Sequence, residues 1–225
     1  MIIEARQGVE KGRDYATRVI RDNIVQLELE PGSMLSENEL ATALGISRTP
    51  VREALIDLAK VKIVEIMPQR GCRVALIDYA MVEEAFFLRD VMEEAIVELA
   101  CDMATDDDIA VLEQNVKLQQ FYVQNKISDK LFELDEAFHK GLFSLCNKSQ
   151  IYEIIQSLSI HTERFRRMSL YVVKDIKTVN DHVDILEAIK RKDGTEAKSI
   201  MKKHLSRYQV DLQDVKDKYA SYFKS

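Results

Sequence analysis

The spacing of apolar residues divides the chain into a head of short elements and a longer helical remainder. Over residues 12–28, Ala16, Val19, Ile20, Ile24 and Leu27 recur at three- and four-residue steps and predict an amphipathic helix. Pro31-Gly32 stops it. Ser36 followed by Glu39 has the spacing of a capping box, in which the two side chains satisfy each other's orphan amides. Leu40, Ala41 and Leu44 form the buried face of the short helix that follows, Gly45 closes it, and Ser47 stands at the start of a third. In that third helix Val51, Ala54, Leu55 and Leu58 make the inward stripe, while Arg48, Thr49, Arg52 and Glu53 face outward. Pro50 sits in the first turn, where no amide donor is needed. Helix, glycine turn, helix is the order of a helix-turn-helix. Residues 63–66 and 72–75 then read as two short strands around the turn Pro68-Gln69-Arg70-Gly71. Three helices and a hairpin predict a winged helix over residues 1–76.

After residue 79 the pattern becomes one of long helical stripes. All three prolines lie in the first third, and only Gly141 and Gly194 follow residue 75. With so few turn-formers, residues 79–225 are expected to be an all-α antiparallel helical bundle, making the protein mostly α. The informative positions are polar residues that interrupt apolar stripes. Arg89 and Glu93 fall in line with Val82, Phe86, Ile96 and Ala100; Asp135 and His139 with Phe138 and Leu142; His182 with Ile185, Leu186 and Ile189; His204 with Ala197, Met201 and Leu205.

Charge sharpens the division. The 225-residue chain carries a net −6, yet residues 1–75 hold 11 basic and 11 acidic side chains, so the whole excess belongs to the second part. Residues 44–73 are locally basic, with six Lys and Arg against three Asp and Glu. Such a patch neutralises phosphates, an arginine at the start of a recognition helix can reach guanine edges, and Thr49 with the helix amino terminus suits a phosphate. The bland alternative is a winged helix used for protein contact, with solvated arginines. Three scattered cysteines (Cys72, Cys101, Cys146) make no disulfide framework and are expected as free thiols. No run of 18 apolar residues occurs, and the charged first thirty residues do not read as a secretory signal, so a cytoplasmic protein without a membrane partner is expected.

Three of the four histidines point inward, together with Asp135. A lone inward histidine is more often a hydrogen-bonded core residue. Three of them beside a carboxylate, which is costly to bury uncompensated, would all be satisfied by one divalent cation; the donor set suits Zn, Ni, Mn or Fe. His161 follows Ile154 and Leu158 and either lines the same cavity or simply packs. A buried Arg89 requires an acid partner, which is either Glu93 one turn on or the carboxylate of a small-molecule effector. A metal site with an open position could also belong to an enzyme, but no further base or nucleophile stands out. The acidic positions Asp102, Asp106, Asp107 and Asp108 read as helix capping.

The stretch PGSMLSENELATALGISRTPVREALIDLA, with RGCRV after it, resembles the winged-helix domain of GntR-type bacterial transcription regulators across residues 12–76. By that resemblance Arg48, Thr49, Arg52 and Gly71 contact DNA, with Arg70 at the wing tip. Asn38 departs from the pattern, standing where the family usually has arginine. Lys60-Val61-Lys62 replaces a stretch that usually ends in glycine. LDEAFHKGLFSLCN, with the later His182 and His204, resembles the helical FCD domain of the FadR subfamily in its shorter, VanR-like form. Six helices are then expected, near 79–104, 106–126, 128–146, 150–171, 175–191 and 194–219. In metal-binding members an aspartate and three histidines hold a divalent metal whose coordination organic acids complete. Asp135, His139, His182 and His204 match those positions, and Arg89 matches the effector-facing arginine. The resemblance implies a homodimeric regulator on a palindromic double-stranded DNA operator, controlled by a small organic acid at or near the metal. A metal-free effector pocket is the nearer alternative, a metal-dependent enzyme the more distant one.

Overall fold

In the computed structural model, backbone is described for residues 1–125, 127, 130–173 and 176–224, with side chains at all of these except 170–173, 176, 208, 210 and 211. The first apolar stripe folds as α1 (Gly12–Val25) and buries Tyr15, Ala16, Val19, Ile20 and Ile24. The helix ends before the predicted residue 28 because Leu27 takes a left-handed backbone, φ 63°. A two-residue strand, β1 (Met34–Leu35), was too short to leave an alternation in the sequence. In α2 (Glu37–Leu44) the Ser36 half of the predicted capping box forms, its side chain accepting from the Glu39 amide at 3.3 Å. Gly45 closes the helix with φ +65°, a conformation that favours glycine. The recognition helix α3 (Arg48–Lys60) buries Val51, Ala54, Leu55 and Leu58 as expected. β2 (Val64–Met67) and β3 (Gly71–Val74) are each displaced by one residue from the reading, and the antiparallel sheet runs β1-β3-β2.

The stretch that lacks the usual glycine has a structural answer. Lys62, the last residue of Lys60-Val61-Lys62, itself adopts the left-handed conformation, φ 63°. An L-residue with a Cβ is strained there.

The helical half comprises α4 (Tyr79–Met103), α5 (Asp106–Gln124), α6 (Leu131–Leu145), α7 (Ser149–Leu158), α8 (Ile160–Val173), α9 (Ile176–Lys190), α10 (Gly194–Ser206) and α11 (Tyr208–Lys218). Two of the six expected helices are thus divided. At Ser159 the amide bonds only to Gln156 and the hydroxyl donates to the Ile155 carbonyl, a side-chain competitor for the helical ladder. At Arg207 the amide turns to the His204 carbonyl three residues back. The expected bounds at 126, 128 and 175, and the chain end at 225, fall outside the described residues. The acidic run caps α5, where Thr105 and Asp108 complete a reciprocal box.

α4 is the central helix and packs on α6, α7, α8, α9 and α10. One core lies among α4, α5, α6, α7, α9 and α10, built from Val97, Ala100, Leu112, Phe138, Leu142, Ile185, Ile189 and Met201. A smaller cluster at the junction of the two halves joins Ile77, Val82, Phe86, Phe165, Met168, Val215 and Phe223. There the chain's end pairs in parallel with the linker, Phe223 beside Ile77. The three cysteines are buried and free.

Candidate metal centre and DNA-facing surface

Every residue expected to face DNA is exposed. Arg48 and Thr49 open α3, and Arg52 follows one turn later on its outer side. Gln69 and Gly71, with φ of 63° and 94°, tighten the wing so that its tip returns towards α2. Arg48, Arg70 and Gly71 share one open cleft with Ser36 and Asn38. Arg48 lies 3.2 Å from Glu37 and keeps 65% of its side chain exposed. At that exposure the ion pair is worth little and a phosphate can displace it.

The interrupted stripes of the helical half all turn inward. Asp135, His139, His182 and His204 come from α6, α9 and α10, are each buried, and bring one donor atom apiece within 4.8 Å of all the others. The Nε2 atoms of His182 and His204 are 3.3 Å apart, and those of His204 and His139 are 3.2 Å apart. Asp135 Oδ1 stands 3.7 Å from His182 Nε2 and 4.0 Å from His139 Nε2. Metal–nitrogen bonds of about 2.0–2.1 Å would put tetrahedral donors roughly 3.3–3.4 Å apart, close to the observed spacing.

Partners behind the four donors fix which atoms face inward. Gln119 Oε1 can only accept, so at 2.8 Å it requires the proton of His182 on Nδ1. Glu93 Oε2 lies in close ion-pair contact with His139 Nδ1. Asp181 Oδ2 lies 3.7 Å from His204 Nδ1, an ion-pair distance. Burial pushes His182 well below its ordinary pKa, and His204 also falls through burial, against the opposing pull of Asp181. Burial thus favours the neutral form of both rings, and their Nε2 atoms face each other at the centre of the cluster. Burial would raise the Asp135 carboxyl, but Arg166 and the imidazoles outweigh it and hold it well below the carboxylate range. Arg166 forks between Asp135 Oδ2 and Glu136 Oε1, leaving Asp135 Oδ1 for the centre. Three imidazoles and a carboxylate gathered in a buried space are compatible with a cation, and His182 and Asp135 already have hydrogen-bonded outer partners of the kind metal ligands use.

A cavity of about 70 Å³ opens beside this cluster, lined by Arg89, Asp135, Arg166, His204 and Arg207 with Ser169 and Thr178. Of the two partners considered for Arg89, Glu93 is the one present: the Arg89 Nε donates to it at 2.7 Å, while the side chain also lines the cavity. His161 does not join the cluster. It sits at the junction of the two halves, bonded to Asp78 and Lys62.

Sequence reasoning missed Gln119, Asp181, Arg166 and Arg207. Gln119 carried a readable signal, since it continues the α5 stripe of Leu112 and Val116. Arg166 lay in a segment read as one plain helix, and Arg207 fell where a continuous helix was expected.

The model of bacterial regulatory proteins of the gntR family matches residues 15–74, and that of the FCD domain matches residues 84–207. The chain is 32% identical over 207 residues to the HTH-type transcriptional repressor RspR of Escherichia coli (strain K12), covering 92% of this chain and 91% of that protein. It is 35% identical over 198 residues to an uncharacterized HTH-type transcriptional regulator in an unstable DNA locus of Streptomyces ambofaciens, covering 88% and 83%. The solved structure of E. coli McbR/YncC shares the fold with a TM-score of 0.74 at 21% identity, over 94% of this chain and all of that one.

Proposed function

The chain belongs to the GntR family of bacterial regulatory proteins, with an FCD domain behind its winged helix, and from that premise we propose that it is a metal-containing, ligand-responsive DNA-binding regulator. The matched relatives are transcription regulators, and the enzymatic alternative falls away with them. On this reading it is a cytoplasmic, VanR-like member of the FadR subfamily. It binds a palindromic double-stranded operator as a homodimer, because two symmetric half-sites call for two heads. Arg48, Thr49, Arg52, Arg70 and Gly71 form the DNA-facing set.

The observation that carries the sensor half is the gathering of three imidazole Nε2 atoms and Asp135 Oδ1 within a few ångströms of one another. Asp135, His139, His182 and His204 would hold a divalent metal, which when bound supplies a Lewis-acidic partner for an organic acid. Arg89 receives that acid's carboxylate from the cavity side, with Glu93 behind the guanidinium and Ser169 and Thr178 nearby. The effector acts by the difference in its affinity for two placements of the heads.

Fluorescence anisotropy on a labelled operator tests this. Metal-loaded protein titrated with a panel of small mono- and dicarboxylic acids is expected to change operator affinity with at least one acid, and Arg89→Met is expected to lose that response while keeping DNA binding. Equal responses in protein stripped of metal would favour a metal-free pocket. An unchanged response in Arg89→Met would return Arg89 to a purely structural pair with Glu93.

A further inference from the structure

α8 ties together two places that the rest of the fold keeps apart. Its first turn is set into the winged-helix half, where Ile160 is buried in the head's own apolar core. His161 accepts from the Asp78 amide at Nδ1, 3.2 Å, and donates from Nε2 to the Lys62 carbonyl, 3.1 Å. Arg164 donates to the Ala75 carbonyl at 2.7 Å and to His161 Nδ1 at 2.8 Å. Glu163 lies 3.5 Å from Arg21 of α1. These contacts reach α1, Lys62 two residues beyond the recognition helix, and both sides of the linker. Within the same stretch of α8, Arg166 grips Asp135 and Glu136 at the candidate metal centre.

This junction is not a deep, fully satisfied lock. Arg164 is fully buried, yet its partners are a carbonyl and an imidazole, and its Nε has no hydrogen bond. Burial pushes its guanidinium down to about 9, so it remains a cation at neutral pH. Glu163 Oε1 and Thr162 Oγ1 are buried with no hydrogen-bond partner among the described residues. Lys62, whose carbonyl His161 holds, is in the strained left-handed region. Uncompensated buried charge and backbone strain raise the docked arrangement towards others in which the turn leaves the junction. Elements of that kind are the ones a small input can switch.

We propose that α8 is a bolt that couples the Asp135 carboxylate to the placement of the DNA-reading head. Because Asp135 is a candidate metal ligand, the proposal rests on the reading above. Asp135 turns Oδ1 to the imidazoles and Oδ2 to Arg166. A carboxylate that shares its charge with a cation on its Oδ1 side attracts the guanidinium on Oδ2 less. The Arg166 fork then shifts its weight to Glu136, α8 moves with it, and the His161–Arg164 turn passes the change to Lys62, Ala75 and Asp78.

Amide hydrogen exchange on the full chain, read in peptides spanning residues 60–80, tests the bolt. Arg166→Met is expected to speed exchange there by about tenfold, although the ion-pair partners of Arg166, Asp135 and Glu136, lie on α6. In an H161F/R164M background the same substitution is expected to add nothing. Exchange changes confined to the helical half in Arg166→Met would overturn the proposal. Should that variant fail to fold, Arg166→Lys, which keeps the charge and loses the fork, supplies the same comparison. A parallel titration of the wild type with manganese alone separates the two claims. Manganese uptake with no Arg166 effect rejects the bolt and keeps the metal reading; an Arg166 effect without uptake keeps the bolt and rejects the metal.

Discussion

Gln119→Leu isolates the outer support of the centre from its ligands. Gln119 and His182 are both buried, and the Oε1–Nδ1 bond of 2.8 Å holds the imidazole with its lone pair inward. Leucine fills nearly the same volume and removes the acceptor. The His182 Nδ1–H is then stranded in a closed interior, which costs about 1–3 kcal/mol. The ring escapes by carrying its proton on Nε2, the atom a metal needs bare. Either way metal affinity falls; a substitution behind a metal-bound histidine typically costs about 10–100-fold, equivalent to roughly 1.4–2.8 kcal/mol. Competition against a chromogenic chelator, on protein shown to be folded by circular dichroism, measures this. Gln119→Glu, which keeps an acceptor, is expected to retain or strengthen binding. Affinity in Gln119→Leu within about threefold of wild type, a change of only ~0.7 kcal/mol, would refute the argument that His182 is held in a chosen tautomer.

Other expectations follow from the same geometry. Arg52→Ala should weaken operator binding by about 1–3 kcal/mol if the side chain reads a base; unchanged affinity in a gel-shift titration removes it from the interface. Lys62→Gly should relieve left-handed strain and raise stability by about 1 kcal/mol, read as a higher denaturation midpoint, and a lower midpoint would contradict the strain. Burial raises the Glu163 carboxyl to about 7 against the opposing pull of Arg21. The unfolded chain therefore holds fewer protons than the folded one between about pH 4.5 and 7, and stability falls as pH rises through that window. The full cost above pH 7 is of order 3 kcal/mol. Glu163→Gln should flatten this dependence, so equal midpoint shifts between pH 5 and 8 in both proteins would count against it.

The head was almost wholly legible because its signals are local. Pro31-Gly32, Gly45 and the Val51–Leu58 stripe each act within a few residues, and the elements they predict are present. The overlong first helix came from a backbone choice no side chain announces, Leu27 turning left-handed. In the bundle, the apolar stripes foretold that Asp135, His139, His182 and His204 point inward, since periodicity gives the inward face. Periodicity could not tell His161 from the others, because an inward face at a junction between halves looks the same as one in a bundle. Nor could it show that Glu93 serves both Arg89 and His139, a partnership set by helix packing across α4 and α6.

The central claim is that three imidazoles and one carboxylate meet at a cation. Anomalous difference density from crystals of the protein, collected above and below the absorption edge of the metal found by elemental analysis, tests it most directly. A single peak per chain bounded by His139, His182 and His204 Nε2 and Asp135 Oδ1 is the predicted result. Protein that stays metal-free after dialysis against Zn, Ni, Mn and Fe, or a peak held by other residues, would contradict it.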